Sequence, residues 1–257
     1  MISSKTPKCI GQRPRWQLTR PMARWRNPLL LLAVILIAGA SLRSTVLRGD
    51  GERTSPNWAG YVVPISTGAS MVSASWKVPA LNCHVTPNAL TTTWVGIGGF
   101  GPSATWPFPQ TGVDTNCVYG KQVNDSWCSH SAFKTFNVSP GNVITAKILY
   151  RRGKWICSVR NLTTNSLDVR TLSYSYDGTT GTAEWVVEST TVSSRGKARI
   201  SKLVDFGSLT FTNLKMFPKQ WTPGHEDPRD NLSMSNSVDG VIASPTWSGN
   251  ELTIRYK

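Results

Sequence analysis

The stretch Ala183-Glu184-Trp185-Val186-Val187-Glu188 decides how this chain is read. It is an apolar, β-prone run with no helical spacing, so it predicts a strand. Side chains alternate between the two faces of a strand. Glu184, Val186 and Glu188 therefore share one face, and Trp185 and Val187 share the other. A carboxylate on a half-buried strand is costly unless it is paired or engaged in chemistry. Two readings stay open at this point: an edge strand with solvated glutamates, or a sheet face that carries a site.

Outward from this stretch the same pattern recurs. Short runs rich in Val, Ile, Thr, Tyr and Trp are broken by Gly, Pro, Asn and Ser, as in Asn57–Val63, Met71–Val78, Thr91–Ile97, Val143–Tyr150 and Lys154–Arg160. Further strands are predicted through Phe136, over Leu167–Tyr176, over Leu203–Phe211 and at Leu252–Tyr256. Residues 100–109 and 219–236 read as loops. No stretch shows apolar residues at helical spacing. About a dozen short strands without helices predict an all-β sandwich of two packed antiparallel sheets.

The 257 residues carry a net charge of +14. Residues 1–44 hold 8 Lys/Arg and no acid, leaving 20 basic against 14 acidic residues, a net +6, in the remainder. No dense basic run is interleaved with aromatics, so nucleic acid is not an expected partner. The basic start precedes an apolar run from Leu29 to Ala40 that ends in Ala38-Gly39-Ala40. This is the pattern of a signal peptide cut after Ala40. An uncleaved anchor over residues 28–46 is the competing reading, and it would be the chain's only membrane contact. Either way the basic end stays inside and the rest is exported. Residues 41–56 read as a linker, and 57–257 as one domain, expected to be secreted (or membrane-anchored with the domain outside) and monomeric.

The exported part keeps Cys83, Cys117, Cys128 and Cys157. Two disulfides are expected in an oxidising compartment, with three connectivities open. Zinc is the rival, but no C-x-x-C spacing occurs and the three histidines fit no usual ligand pattern. No metal or other cofactor is expected. Asn-x-Ser/Thr sites stand at Asn124, Asn137, Asn161 and Asn231.

Four segments, in order, carry a resemblance: Asn57-Trp58-Ala59-Gly60-Tyr61, Trp94-Val95-Gly96-Ile97, Gln110-Thr111-Gly112-Val113-Asp114 and the Ala183–Glu188 stretch. Together they resemble the glutamic peptidases, the eqolisin or peptidase G1/A4 family. The resemblance implies a concanavalin-like (jelly-roll) β-sandwich of two curved sheets, a polypeptide substrate and a Gln–Glu catalytic pair. Gln110 matches the catalytic glutamine, and Glu188, the second glutamate of the AExxxE motif, matches the catalytic glutamate. Glu184 matches a supporting glutamate and Trp94 a cleft tryptophan. Asp114 matches a network aspartate, and Asp125 and Trp127 match a segment that lines the site. Two positions depart from the pattern: Gly98 stands where the family usually has Asp, and Ser129 where it usually has Glu. Those departures bear on the family's acidic working range more than on the reaction.

The pairing makes chemical sense. Peptide hydrolysis needs a base for water, a donor for the developing oxyanion and an acid for the leaving amine. A glutamate serves as base and then as acid. A glutamine amide donates N–H bonds at any pH. The resulting expectation is metal-independent endopeptidase activity at acidic to mildly acidic pH. Two other readings remain: a glycosidase and a lectin-like module. Residues four apart on a strand lie about 13 Å apart, so Glu184 and Glu188 alone cannot be a glycosidase pair, whose carboxylates sit about 5–9.5 Å apart. Asp114 or Asp125 would have to supply the partner. The nine tryptophans of the exported part could stack on sugars, although such side chains dominate sandwich cores.

Overall fold

The computed structural model describes residues 53–65, 68–101, 108–129, 131–173, 181–194, 197–218 and 226–257. The signal or anchor and most of the linker lie outside the described residues. The strands are β1 (Arg53–Ser55), β2 (Trp58–Ile65), β3 (Met71–Lys77), β4 (Thr91–Ile97), β5 (Gln110–Val118) and β6 (Lys121–Cys128). Then come β7 (Ser131–Asn137), β8 (Val143–Arg151), β9 (Lys154–Asn161), β10 (Ser166–Thr171), β11 (Gly181–Ser189) and β12 (Thr191–Ser194). The chain closes with β13 (Lys197–Ile200), β14 (Ser208–Phe217), a 3-10 turn at Pro228–Asp230, β15 (Asn231–Asn236), β16 (Gly240–Ser248) and β17 (Glu251–Tyr256).

These strands make the expected all-β sandwich. One sheet runs β17-β16-β15-β2-β11-β4-β5-β6-β7 and the other β10-β9-β8-β3-β14. β14 belongs to both: Ser208–Phe211 pairs with β17, and the segment from Thr212 to Phe217 pairs with β3 across a register shift. Such a bulge bends the strand from one layer into the other. The layers meet through alternating apolar side chains. Tyr61, Val95, Val113 and Trp185 come from the first sheet, and Trp76, Ile144, Ile148 and Trp155 from the second. Trp185 is fully buried, and its indole N–H donates across the layers to the Ser73 carbonyl at 3.0 Å. At about 25 cal/mol per Å², covering an indole of this size contributes about 4–6 kcal/mol.

The cysteines pair in sequence order, Cys83 with Cys117 and Cys128 with Cys157. The first bridge pins the 80–90 loop to β5. The second joins β6 to β9 and so crosses the sandwich. With all four thiols oxidised, the zinc reading fails.

Four sequence readings change. β11 is no edge strand, because β2 and β4 flank it along its length. Residues 53–56, read as the end of the linker, begin the domain. β1 lies parallel on β15, and Arg53 donates to the Val62 carbonyl at 2.7 Å and pairs with Asp230 at 3.1 Å. Residues 219–236, read wholly as loop, contain β15, in which Leu232 and Met234 alternate into the interior. Asp and Asn hide this strand because their side chains serve its turn: Asp227 accepts from the Arg229 amide at 2.9 Å. The strand expected from Leu203 starts only at Ser208. Leu203, Val204 and Phe206 are buried from a segment outside any ladder.

Candidate active site

The face of the first sheet turned away from the second carries every site residue expected from the sequence. Register arranges them in three rows. Trp58, Glu188, Thr92, Asp114 and Asp125 form one row, on β2, β11, β4, β5 and β6. Gly60, Val186, Trp94, Gly112 and Trp127 form the next. Val62, Glu184, Gly96 and Gln110 form the third. Trp94, Phe108, Trp127 and Val186 pack together as an apolar floor separate from the main core, with Trp58 against it.

Glu188 is half-buried, and its carboxylate is surrounded by donors. Oε1 accepts from Asn57 Nδ2 at 3.2 Å and Oε2 from Trp94 Nε1 at 2.9 Å. Trp58 supplies a further side-chain hydrogen bond. Burial nevertheless pushes its pKa up to about 7, because these donors only partly replace lost water and Asp114 adds negative charge. Asp114 is likewise raised to about 7 by burial, against hydrogen bonds from Thr92 and Trp127 and with repulsion from Asp125. The Trp127 indole donates to Thr92 Oγ1 at 3.2 Å. Thr92 thus lies between the two carboxylates in register, and Asp125 is exposed at the outer end of the row.

Glu184 is fully buried. Its Oε1 accepts from the Gly99 amide at 2.9 Å and from the Thr182 hydroxyl, while Oε2 has no hydrogen-bond partner. Burial raises it to about 8, opposed by Thr182 and the nearby amides of residues 98–100. A neutral carboxylic acid is the form that such a site accommodates. Gly98 follows at φ 89°, a left-handed conformation that glycine adopts freely. The missing Asp side chain at this position leaves the turn beside Glu184 held by backbone amides alone.

Gln110 opens β5 and is 4 % exposed. Ser129, the other departure, binds its backbone: the Ser129 amide donates to the Gln110 carbonyl at 2.9 Å. Register sets Gln110 level with Glu184, while Glu188 lies diagonally across β4. The Trp94 indole spans that diagonal. Its N–H is on Glu188, and its ring edge lies over Gly96, where a Cβ would come within 2.6 Å of Trp94 Cζ3 and 3.1 Å of Glu184 Oε2. Only glycine leaves that space for the ring between the Gln110 and Glu188 rows.

Sequence reasoning missed four participants. Asn57 and Trp58 stand in a motif quoted for its resemblance but received no role. Thr92 and Thr182 look like ordinary strand threonines, and nothing in the sequence separates them from the others. Among the described residues no group of His, Cys, Asp and Glu is placed to hold a metal ion.

No curated protein sequence matches the chain. Among solved structures it is similar to scytalido-glutamic peptidase bound to a transition-state analogue inhibitor. That likeness has a TM-score of 0.65 at 20% identity, over 79% of this chain and 98% of that one. It is also similar to SCP-B, an eqolisin-family peptidase in complex with the tripeptide Ala-Ile-His, with a TM-score of 0.62 at 21% identity and the same coverage. These likenesses show the fold. The family model of the peptidase A4 family matches residues 56–256, from the bend before β2 to the last strand. The chain therefore belongs to the peptidase A4 family and is a glutamic endopeptidase.

Proposed function

We propose that Glu188 and Gln110 are the catalytic pair of this endopeptidase. The observation that carries this reading is the donor set around Glu188, on the same sheet face as Gln110 and diagonal to it across β4. Ionised Glu188 takes a proton from water as its oxygen attacks the scissile carbonyl. The Gln110 amide donates to the oxyanion, whose charge develops in a partly dry site. Protonated Glu188 then gives its proton to the departing nitrogen as the C–N bond breaks. Trp94, Asn57 and Trp58 hold the carboxylate in place through both proton transfers. Asp114, Thr92 and Trp127 form the adjoining network, and buried Glu184 positions the 98–100 turn.

A base must be ionised. With Glu188 raised to about 7, its active form grows through mild acid towards neutrality. The working range assigned here is thus mildly acidic to neutral, above the acidic range that the resemblance implies. The two disulfides and the basic-then-apolar start favour an exported domain. We assign it as secreted and monomeric.

Casein cleavage by the purified protein, from pH 3 to 8 with pepstatin and EDTA present, tests the assignment. Inhibitor-resistant cleavage that disappears in Glu188→Gln is expected. Full activity in that folded variant would overturn the assignment.

A further inference from the structure

The second sheet has its own outward face, on the opposite side of the sandwich from the active-site face. Register lays out one apolar row there: Phe217, Met71, Leu149 and Ile156, on β14, β3, β8 and β9. Phe217 is 61% exposed and the other three are half-buried. On one side the row is bounded by Lys215 and Lys147, which face each other across Ser73. On the other side it is bounded by the hairpin tip, where Arg151 pairs with Lys154 in register and Arg152 makes the turn. All five cations are exposed.

Among the described residues no acid lies in these rows. The outward positions of β3, β8, β9 and β10 are otherwise Ser, Thr, Val, Leu, Lys and Arg. Asp168 stands on the opposite, inward face of β10, level with Val159. Neither described salt bridge involves any of the five cations. An apolar strip with an exposed aromatic ring, flanked on both sides by unpaired cations, matches the boundary of a lipid layer. There apolar groups enter the acyl edge and cations meet the headgroups. A soluble polyanion would match the charge but give the apolar row no partner.

We propose that this face docks the domain on an anionic lipid surface. The active-site face then points away from the lipid and towards soluble polypeptide. Each Lys or Arg near an anionic surface strengthens binding by about fivefold. Removing Lys147 and Lys215 therefore weakens binding by about 25-fold.

The test is sedimentation of the purified full chain with vesicles of phosphatidylcholine, or of phosphatidylcholine containing phosphatidylglycerol. Wild type, the Lys147→Gln/Lys215→Gln double variant and Phe217→Ala are compared. Any insertion of the N-terminal apolar run, and any attraction of its basic start to anionic lipid, is common to all three proteins, so the difference between the variants and wild type carries the test. Expected results are at least tenfold preference of wild type for the anionic vesicles, loss of most of that preference in the double variant, and weaker binding by Phe217→Ala. Casein cleavage should stay unchanged in all three, which also reports that they are folded. Equal binding to both vesicle types, or a double variant that binds like wild type, overturns the proposal. So does capture by soluble heparin without any preference for anionic vesicles, which would assign the face to a polyanionic chain.

Discussion

Replacing Glu184 with Gln should change how stability depends on pH. Glu184 is fully buried, and its pKa is raised from 4.5 to about 8 in the folded protein. A carboxyl raised on folding stabilises the fold below its unfolded pKa and loses that contribution as pH rises towards its folded pKa. Between about pH 5 and 8 the unfolded chain releases a proton that the folded chain keeps. The cost is about 1.4 kcal/mol per pH unit, with a ceiling of about 5 kcal/mol. That is large beside a typical domain stability of about 5–15 kcal/mol. Glutamine keeps the shape and an acceptor for the Gly99 amide, but it does not titrate. Urea unfolding followed by tryptophan fluorescence, at unit steps from pH 4 to 8, measures both proteins. Wild type should fall more steeply than Glu184→Gln by about one proton's slope, and the variant should be the more stable at pH 8. Glu188 and Asp114, also raised on folding, leave a residual slope in both proteins. Parallel stability curves between pH 5 and 8 would refute the claim that Glu184 is held neutral.

Other expectations follow from the same geometry. The kcat/KM profile for a peptide substrate should rise about tenfold per pH unit towards an apparent pKa near 7, since protonated Glu188 is no base. A maximum at pH 3 to 4 would contradict this. Trp94→Phe removes the 2.9 Å donor to Glu188. A hydrogen bond to a charged group contributes about 1.5–3 kcal/mol, so the limb should move up by about 1–2 pH units. Gln110→Ala should lower kcat by about 100-fold or more with little change in KM, as expected for a lost oxyanion donor. Converting Cys128 and Cys157 to Ser opens a loop with a sequence separation of 29. The lost constraint costs about 3.5 kcal/mol, and calorimetry should find Tm lower by about 10 °C.

Much of this was legible in the chain because strand alternation is a strict rule. Trp185 and Val187 point into the sandwich, and Glu184, Val186 and Glu188 point away from it. The resemblance implied a Gln110–Glu188 pair with Trp94 in the cleft, and the register sets all three on one face. What the sequence did not show was register. Nothing in it says that Gln110 lies level with Glu184, or that Thr92 sits between Glu188 and Asp114. Pairing across strands depends on distant segments meeting, and local pattern does not encode it. β15 was lost for a related reason. Asn231-Leu-Ser-Met-Ser-Asn alternates properly, but its polar residues and the preceding Asp227-Pro228 turn mimic a loop until β2 and β16 supply partners. Arg53 was read as linker because a buried guanidinium is legible only once Asp230 is seen beside it.

β14 gives half its length to each layer. The two sheets therefore share covalent backbone as well as a core, and Cys128–Cys157 fastens them again at β6 and β9. A protein fastened twice in this way has no hinge between its layers. Breathing that admits a long substrate must come from the loops around the active-site face, not from parting of the sheets. Amide hydrogens on Leu209–Phe211 and on Val72–Ser75 should then exchange through one common opening, with the same dependence on denaturant.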